Sequence, residues 1–191
     1  MKRFLSAVLA GVMALSLMAG CSSGGEETTT TESGIPDLSD IIVKRWNDLD
    51  TTEVYAIARL RTEVFLREQR VDDVELDWRD PDSSTVHVFI RNGRDVVGYL
   101  RTLAVPTLRN VPGVPAVHRV LGRMVVDPEF RGRGLAGQLI ARAVELHSDE
   151  PIVLHAQTYI TGMYEEHGFE VYGEEYDEGG IPHLSMVRIP T

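Results

Sequence analysis

The chain has 191 residues, of which 43% are hydrophobic and 25% are charged, and its formal net charge is −10. This length and composition are typical of one ordinary soluble domain with a sizeable core, joined to some additional segment. The acidic balance argues against nucleic acid as the main partner. Cys21 is the only cysteine, which excludes disulfide bonds within one molecule and cysteine-rich metal sites.

Residues 1–20 are predicted to be a signal peptide. Met1-Lys2-Arg3 supplies a charged start, and the apolar run Phe4–Ala19 that follows is too short for a comfortable membrane span. The run ends in Ala19-Gly20-Cys21, which resembles the processing site of bacterial lipoproteins. This resemblance implies that Cys21 becomes the lipidated first residue of the mature chain.

Residues 21–40 are rich in Gly, Ser, Thr and Glu and are predicted to be a flexible tether. We therefore expect a protein held at the cell membrane by a lipid anchor at Cys21. The alternative is a cytoplasmic protein whose translation starts near Val43, where the folded domain begins.

Residues 41–191 have the pattern of a single folded domain. Ile41–Trp46 predicts a first strand. Asp50 and Glu53 have the spacing of a helix capping box. The apolar face of the predicted helix comprises Val54, Ile57, Ala58, Val64 and Phe65. An acidic loop then contains Asp72, Asp73, Glu75, Asp77, Asp80 and Asp82.

The rest of the domain is predicted to alternate strands with two helices. Asn92-Gly93 is a strong signal for a tight turn between paired strands. The predicted elements are strands Thr85–Arg91 and Val96–Ala104, a proline-rich loop Val105–Val117, strand His118–Val126, a helix from Leu135, strand Ile152–Gln157, a helix Ile160–His167, and strands Phe169–Tyr176 and His183–Arg188.

A glycine-rich loop lies between the strand that ends at Val126 and the helix that starts at Leu135. It reads Arg131-Gly132-Arg133-Gly134-Leu135-Ala136. The free N–H groups and positive dipole end of the helix attract phosphate oxygens. Gly132 and Gly134 allow a close approach and a sharp turn, while Arg131 and Arg133 supply charge. The loop therefore predicts a site for a coenzyme with a diphosphate.

Two families have loops of this kind. Gly132-x-Gly134-x-x-Gly137 matches the Rossmann fingerprint, but five residues separate the preceding strand from Gly132, and strand Ile152–Gln157 ends without the expected carboxylate. Arg131–Ala136, written R-x-x-G-x-A, instead resembles the acetyl-CoA loop of the GCN5-related N-acetyltransferases (GNAT).

Three further motifs support this second resemblance, in the order in which the family has them. They are Leu60–Gln69 with Glu75-Leu76-Asp77, then Gln157 followed by Tyr164 and Gly168-Phe169, and Gly179–Met186. The first and third, together with His155-Ala156-Gln157, resemble the ElaA-like branch. The likeness covers Ile41–Arg188 and implies an α/β (α+β) domain with a mixed, mostly antiparallel sheet flanked by helices.

The resemblance implies an N-acyltransferase that moves an acetyl group from acetyl-CoA to a primary amine of a small molecule or peptide. It assigns Tyr164 as the general acid for the departing thiolate. The implied coenzyme-binding residues are Met124, Val125 and Val126 through their backbone, together with Arg131, Gly132, Arg133, Gly134, Leu135, Ala136 and Gln157.

The general base stays open at this point. His183 and Glu75 are candidates because each lies in an ElaA-like motif, and a water relay needs no dedicated residue. Arg123 can orient a substrate carboxylate or pair with a buried acid. No metal is expected, because His118, His147, His155 and His167 lack metal-ligand spacing.

A lipid anchor outside the cell conflicts with acetyl-CoA, which is a cytoplasmic metabolite. Three explanations remain open. The enzyme uses another acyl donor, the anchored domain binds a ligand without turnover, or translation starts near Val43.

Overall fold

The computed structural model describes residues 41–104 and 119–190. Their strands form one seven-stranded sheet in the order β1-β2-β3-β4-β5-β7-β6. The strands are β1 (Ile41–Lys44), β2 (Val86–Asn92), β3 (Asp95–Ala104), β4 (Arg119–Val126), β5 (Ile152–Gln157), β6 (Glu170–Glu178) and β7 (Ile181–Arg188). Only β4 and β5 pair in parallel. The predicted mixed, mostly antiparallel sheet flanked by helices is confirmed.

Three predicted segments lie outside the described residues. They are the signal peptide at 1–20, the tether at 21–40 with Cys21, and the loop Val105–Val117. These assignments stay predictions.

One helical segment covers the first face of the sheet. Helix α1 (Thr51–Arg61) starts at the predicted capping box, in which Asp50 Oδ1 accepts from the Glu53 amide at 2.8 Å and Glu53 Oε2 accepts from the Asp50 amide at 3.0 Å. The helix continues as a π-helical segment, Thr62–Glu68. Its apolar side chains pack against Phe89, Tyr99 and Val125, and we call this side of the sheet the α1 face.

Two helices cover the opposite side, which we call the α2 face. Helix α2 (Leu135–Leu146) buries Leu139, Ile140 and Ala143 completely, and the short α3 (Thr161–Glu165) adds Tyr164 to the same core. None of the helices in the described residues is long and apolar enough to cross a membrane.

The pairing of β4 changes halfway along the strand. Arg119, Val120 and Leu121 pair with β5, whereas β5 continues to Gln157 with β7 as its partner. Along β3, Tyr99 lies opposite Val125 and Arg101 opposite Gly122, so β4 carries one extra residue. This is a β-bulge, and Arg123 adopts a left-handed φ of 54° there.

The bulge reverses the side-chain alternation of β4. Leu121 packs in the core of the α2 face, while Val125, four residues later, packs in the core of the α1 face. Regular alternation would place both on one side. The end of β4 therefore turns away from β5, and a cleft opens between the two strands.

Several boundaries differ from the sequence-based expectation. β1 ends at Lys44 because Trp46–Asp48 form a 3₁₀ turn. Strand β6 extends to Glu178 and β7 already begins at Ile181, because Gly179 and Gly180, with φ of 62° and 83°, close a tight turn between them. Helix α3 is shorter than predicted, because Thr158–Ile160 form a 3₁₀ turn before it.

Candidate active site

The cleft between β4 and β5 holds a cavity of about 1050 Å³. This volume lies at the upper end of the range for small-molecule sites, which suits an extended ligand. Of the predicted site residues that the structure describes, Glu75 and Arg133 do not line the cavity. The lining includes Met124, Val125, Val126, Arg131, Gly132, Gly134, Leu135, Ala136, Gln157, Tyr164 and His183.

The glycine-rich loop has the conformation expected of an anion-binding turn. Gly132 and Gly134 have φ of 75° and 77°, while a Cβ at either position would meet no atom within 4 Å. The glycines are therefore required by backbone conformation and not by crowding. Gly134 caps α2 without a side-chain hydrogen bond, so the first-turn N–H groups have no partner within the helix and can receive phosphate oxygens.

The guanidinium of Arg131 has partners within the protein. Its Nε donates to the Val126 carbonyl at 3.1 Å, and its two terminal nitrogens donate to the Glu68 carboxylate at 2.7 Å each. The hydrogen bond from Arg131 lowers the pKa of Glu68. Arg131 thus ties the end of β4 to the π-helical segment. Its role in coenzyme binding stays a prediction.

Arg133 lies outside the cavity lining. Its guanidinium carbon is 4.9 Å from the centre of the Phe130 ring, and it donates to the Glu129 carbonyl at 3.1 Å. This cation–π contact keeps the charge beside the loop. Coenzyme binding by Arg133 also stays a prediction.

Tyr164 lies at the cavity wall on the α2 face. Its ring packs edge-on against Phe169 with centroids 6.0 Å apart, and only 4% of the residue is exposed. Burial raises the pKa of the Tyr164 hydroxyl well above its usual value, and Tyr159 adds to the shift. A hydroxyl in this environment stays protonated at neutral pH, so it can donate a proton but cannot serve as a base.

His183 lies on the α1 face, on β7 directly opposite Gln157 of β5. Its Nδ1 is 2.8 Å from the carbonyl oxygen of Ile181. Because a carbonyl only accepts, Nδ1 carries the proton in the neutral ring and Nε2 keeps its lone pair. The imidazole therefore has the tautomer that a proton acceptor at Nε2 requires.

Glu75 is part of a group of six charges that we call the charge cluster. Four of its members are buried and the last two are half-buried: Arg61, Arg101, Glu75, Asp80, Asp77 and Arg123. One Glu75 oxygen accepts from Arg61 Nε at 2.5 Å, and the other lies 3.0 Å from Arg123 Nε. Burial raises the pKa of the Glu75 carboxyl, and the charges of Arg61 and Arg123 oppose that shift. Both oxygens thus already face guanidinium groups.

The remaining contacts of the charge cluster reach the cavity. Asp80 Oδ1 accepts from Arg61 and Arg101 at 2.8 Å each. Asp77 takes two hydrogen bonds from Arg101, at 2.5 and 2.8 Å. Burial alone would raise the pKa of Asp77, but the bonds from Arg101 outweigh it and lower that pKa to about 2. Arg123 pairs with Glu75, so the structure shows the buried-acid alternative for this arginine.

Sequence reasoning did not assign Gln69 and Glu68 to the site. The amides of Gln69 and Gln157 hydrogen-bond each other at 3.2 and 3.5 Å, and the Tyr159 hydroxyl donates to Gln157 at 2.5 Å. Glu68 holds Arg131, as described above. Both residues lie at the end of the motif Leu60–Gln69, and this motif was the feature of the sequence that could have assigned them to the site.

Within residues 41–104 and 119–190, no group of His, Cys, Asp or Glu side chains could hold a metal ion.

Comparisons with known proteins agree with this geometry. A family model described as an acetyltransferase (GNAT) domain matches residues 53–189. A UPF0039 protein of Mycobacterium tuberculosis is 33% identical over 152 residues, covering 79% of this chain and 94% of the relative. Protein ElaA of Escherichia coli is 30% identical over 146 residues, covering 74% and 91%.

Solved structures give the same result. An acyl-CoA N-acyltransferase from Pseudomonas aeruginosa is 34% identical with a TM-score of 0.67, covering 78% of this chain and 99% of the other. The crystal structure of Escherichia coli ElaA is 27% identical with a TM-score of 0.69 and the same coverage. The fold and cleft define an acyltransferase, and the chain belongs to the GNAT acetyltransferase family, with ElaA-like proteins among its relatives.

Proposed function

We propose that the domain transfers an acetyl group from acetyl-CoA to a primary amine of a small molecule or peptide. The observation that carries the proposal is the cleft between β4 and β5, because one cavity brings together the end of β4 that does not pair with β5, the glycine-rich loop, Tyr164 and His183. In this proposal Tyr164, on the α2 face, is the proton donor and His183, on the α1 face, is the proton acceptor.

The donor side of the proposed site uses backbone groups. Among the described residues, no strand pairs with the β5-facing edge of β4 beyond Leu121, so we propose that the backbone of Met124, Val125 and Val126 hydrogen-bonds an extended pantetheine arm there, with the Val126 carbonyl also accepting from Arg131. The first-turn N–H groups of α2 would hold the diphosphate. The thioester supplies the acyl group, and its transfer forms an amide and releases a thiolate. We assign Tyr164 as the group that protonates this thiolate, because its hydroxyl lines the cleft and is protonated at neutral pH.

The acceptor side lies on the α1 face. The amine must lose a proton before or during attack, and Nε2 of His183 is the acceptor that we assign. Glu75 does not line the cavity, and its two oxygens face the guanidinium groups of Arg61 and Arg123. We therefore assign Glu75 a positioning role. A water relay without a dedicated base is the competing route.

Ligand binding and turnover by the wild-type protein test the proposal. Saturating acetyl-CoA should raise the melting temperature, because a ligand that binds only the folded state stabilises it. Release of free thiol should then depend on an amine from a panel of small amines and peptides. A melting temperature that does not change with acetyl-CoA would refute coenzyme binding. A shifted melt without turnover across the panel would favour a domain that binds a ligand without catalysis.

We also propose that the mature protein is attached to the cell membrane through a lipid on Cys21. The support is the order of a charged start, an apolar run, Ala19-Gly20-Cys21 and a polar segment. Acetyl-CoA would not be available outside the cytoplasm, so an exported enzyme would use another acyl donor. A start near Val43 would remove this conflict.

A further inference from the structure

His183 lies in the middle of a row of three side chains. Along the paired strands, His183 of β7 is opposite Gln157 of β5 on one side and Tyr176 of β6 on the other. Facing residues of neighbouring strands project to the same side of a sheet. Tyr176 therefore shares the α1 face with the proposed base, although the proposed chemistry so far gives it no role.

An irregularity in β6 puts Tyr176 in that position. Tyr172 lies opposite Ser185, and Tyr176 lies opposite His183. An advance of four residues along β6 therefore matches an advance of two residues along β7. Gly173, with φ of 79°, accommodates the two extra residues. In a regular strand Glu174 would be the neighbour of His183. The bulge replaces that carboxylate with an aromatic ring.

Tyr176 is held at both of its ends. Its ring stacks on the imidazole of His183, with 29° between the planes and 6.1 Å between the centroids. Its hydroxyl lies 2.5 Å from Nδ1 of His155, and Ser185 Oγ is 3.3 Å from the same nitrogen. His155 and Ser185 face each other on β5 and β7. Tyr176 thus links the ring of His183 to His155 on β5.

The ring of His183 needs such support. Among the described residues, the ring's hydrogen bond goes to the Ile181 carbonyl, a backbone group only two residues away, and it selects one tautomer only while the ring keeps that orientation. A single hydrogen bond leaves the ring free to rock about its side-chain torsions, whereas a stacked neighbour restricts them.

We propose that Tyr176, anchored by His155, is a positioning residue that holds the His183 imidazole with Nε2 available to the cleft. The inference rests on the proposed function, because it assumes that His183 is the base. The titratable and charged side chains that line the same cavity as His183 include Glu178 on β6, His155 on β5, Asp73 and Asp77 from the loop after the π-helical segment, and Arg79, Arg101 and Arg123.

The kinetic test compares Tyr176→Leu with Tyr176→Phe and with the control Tyr172→Leu. Tyr172 is an aromatic residue on the same strand and face, beyond the bulge. Tyr176→Leu should lower kcat by about ten- to a hundredfold, since a misplaced catalytic group costs that much, and leave the KM for acetyl-CoA unchanged. It should also shift the acidic limb of the kcat profile against pH. Tyr176→Phe keeps the stacked ring and should lose less, and the control should match the wild type.

The double variant separates positioning from an independent role. If Tyr176 acts through His183, adding Tyr176→Leu to His183→Gln should cost almost nothing further. If the losses in kcat of the two single variants multiply in the double variant, the proposal is overturned. It is also overturned if Tyr176→Leu lowers kcat equally at every pH, without moving the acidic limb of the profile.

Nuclear magnetic resonance of the histidine rings gives a readout that does not need turnover. The wild-type His183 should show one tautomer, protonated at Nδ1, and Tyr176→Leu should show a mixture of the two. An unchanged single tautomer in that variant would overturn the positioning role. If the wild type shows no turnover, the proposed function is refuted. The positioning role of Tyr176 is still tested in that case, because the tautomer of His183 can be measured without turnover.

Discussion

Tyr164 lines the cleft and carries a hydroxyl that is protonated at neutral pH, as a proton donor to a thiolate must be, although the burial that raises its pKa also makes it a weaker acid. We expect Tyr164→Phe to lower kcat by about ten- to a thousandfold and to leave acetyl-CoA affinity nearly unchanged, because the proton is needed only in the transition state. Steady-state kinetics and a binding titration measure the two quantities.

Tyr55→Phe is the matched control, since Tyr55 is a tyrosine on α1 that is 72% exposed and outside the cleft. If Tyr164→Phe were as active as this control, Tyr164 would have no part in proton transfer.

Single residues of the site were predicted to different extents. Tyr164 and His183, both singled out from the sequence, line the cleft. The sequence could identify them because each belongs to a local motif within one element. Glu75 was predicted from its loop motif as a candidate base, yet its oxygens face Arg61 and Arg123. Those partners come from α1 and β4, and a contact between distant segments leaves no local pattern in the sequence.

At the scale of elements, the turn before α2 offers a prediction about coenzyme binding. Gly134 has φ of 77°, which a β-branched residue adopts only with strain. Gly134→Val should therefore distort the start of α2 and abolish the rise in melting temperature caused by acetyl-CoA. Thermal melts with and without the ligand measure this effect.

Gly93→Val is a suitable control, because Gly93 has a similar φ of 63° and equally open surroundings in the hairpin turn away from the cleft. It should lower the melting temperature and still respond to acetyl-CoA. A ligand response lost in both variants would show that general destabilisation, and not the loop, explains the result.

Regular elements were predictable, whereas irregular ones were not. The capping box of α1, the hairpin of β2 and β3, and the bounds of β5 follow from local spacing, and the structure confirms them. The bulge at Arg123 and the π-helical segment do not follow, because one extra residue changes the register without changing residue types. These irregular elements shape the cleft.

At the scale of the whole domain, the charge cluster joins α1, the acidic loop and the sheet. Arg61 is only 1% exposed and bonds both Glu75 and Asp80. We expect Arg61→Met to lower the free energy of unfolding by about 3–5 kcal/mol, because it leaves buried carboxylates without their partner. Urea denaturation monitored by circular dichroism measures the change.

The neighbouring Arg59→Met is the control. Arg59 pairs with Asp95, but the two side chains are 55% and 48% exposed, so the loss should be about 0–1 kcal/mol. Equal losses in the two variants would mean that the charge cluster adds nothing beyond a surface ion pair.

The attachment of the whole chain is testable in cells. We expect the wild type to take up labelled lipid and to partition with membranes, and two or more acyl chains would make that attachment stable. Cys21→Ser should lose the label and accumulate unprocessed, because the acceptor thiol is absent. Wild-type protein recovered from the cytoplasm with a start near Val43 would refute the anchor.

The short parallel contact between β4 and β5 also makes the domain divisible. Only three residue pairs join the strands there, whereas β1–β4 and β5–β7 each keep their own antiparallel pairing. A cut in the connection between Leu146 and Ile152 would leave two fragments joined by one narrow seam and by the apolar core that they share on the α2 face. A ligand seated across the seam would favour their reassembly, so a pair of split-reporter fragments should give a signal that rises with the concentration of that ligand.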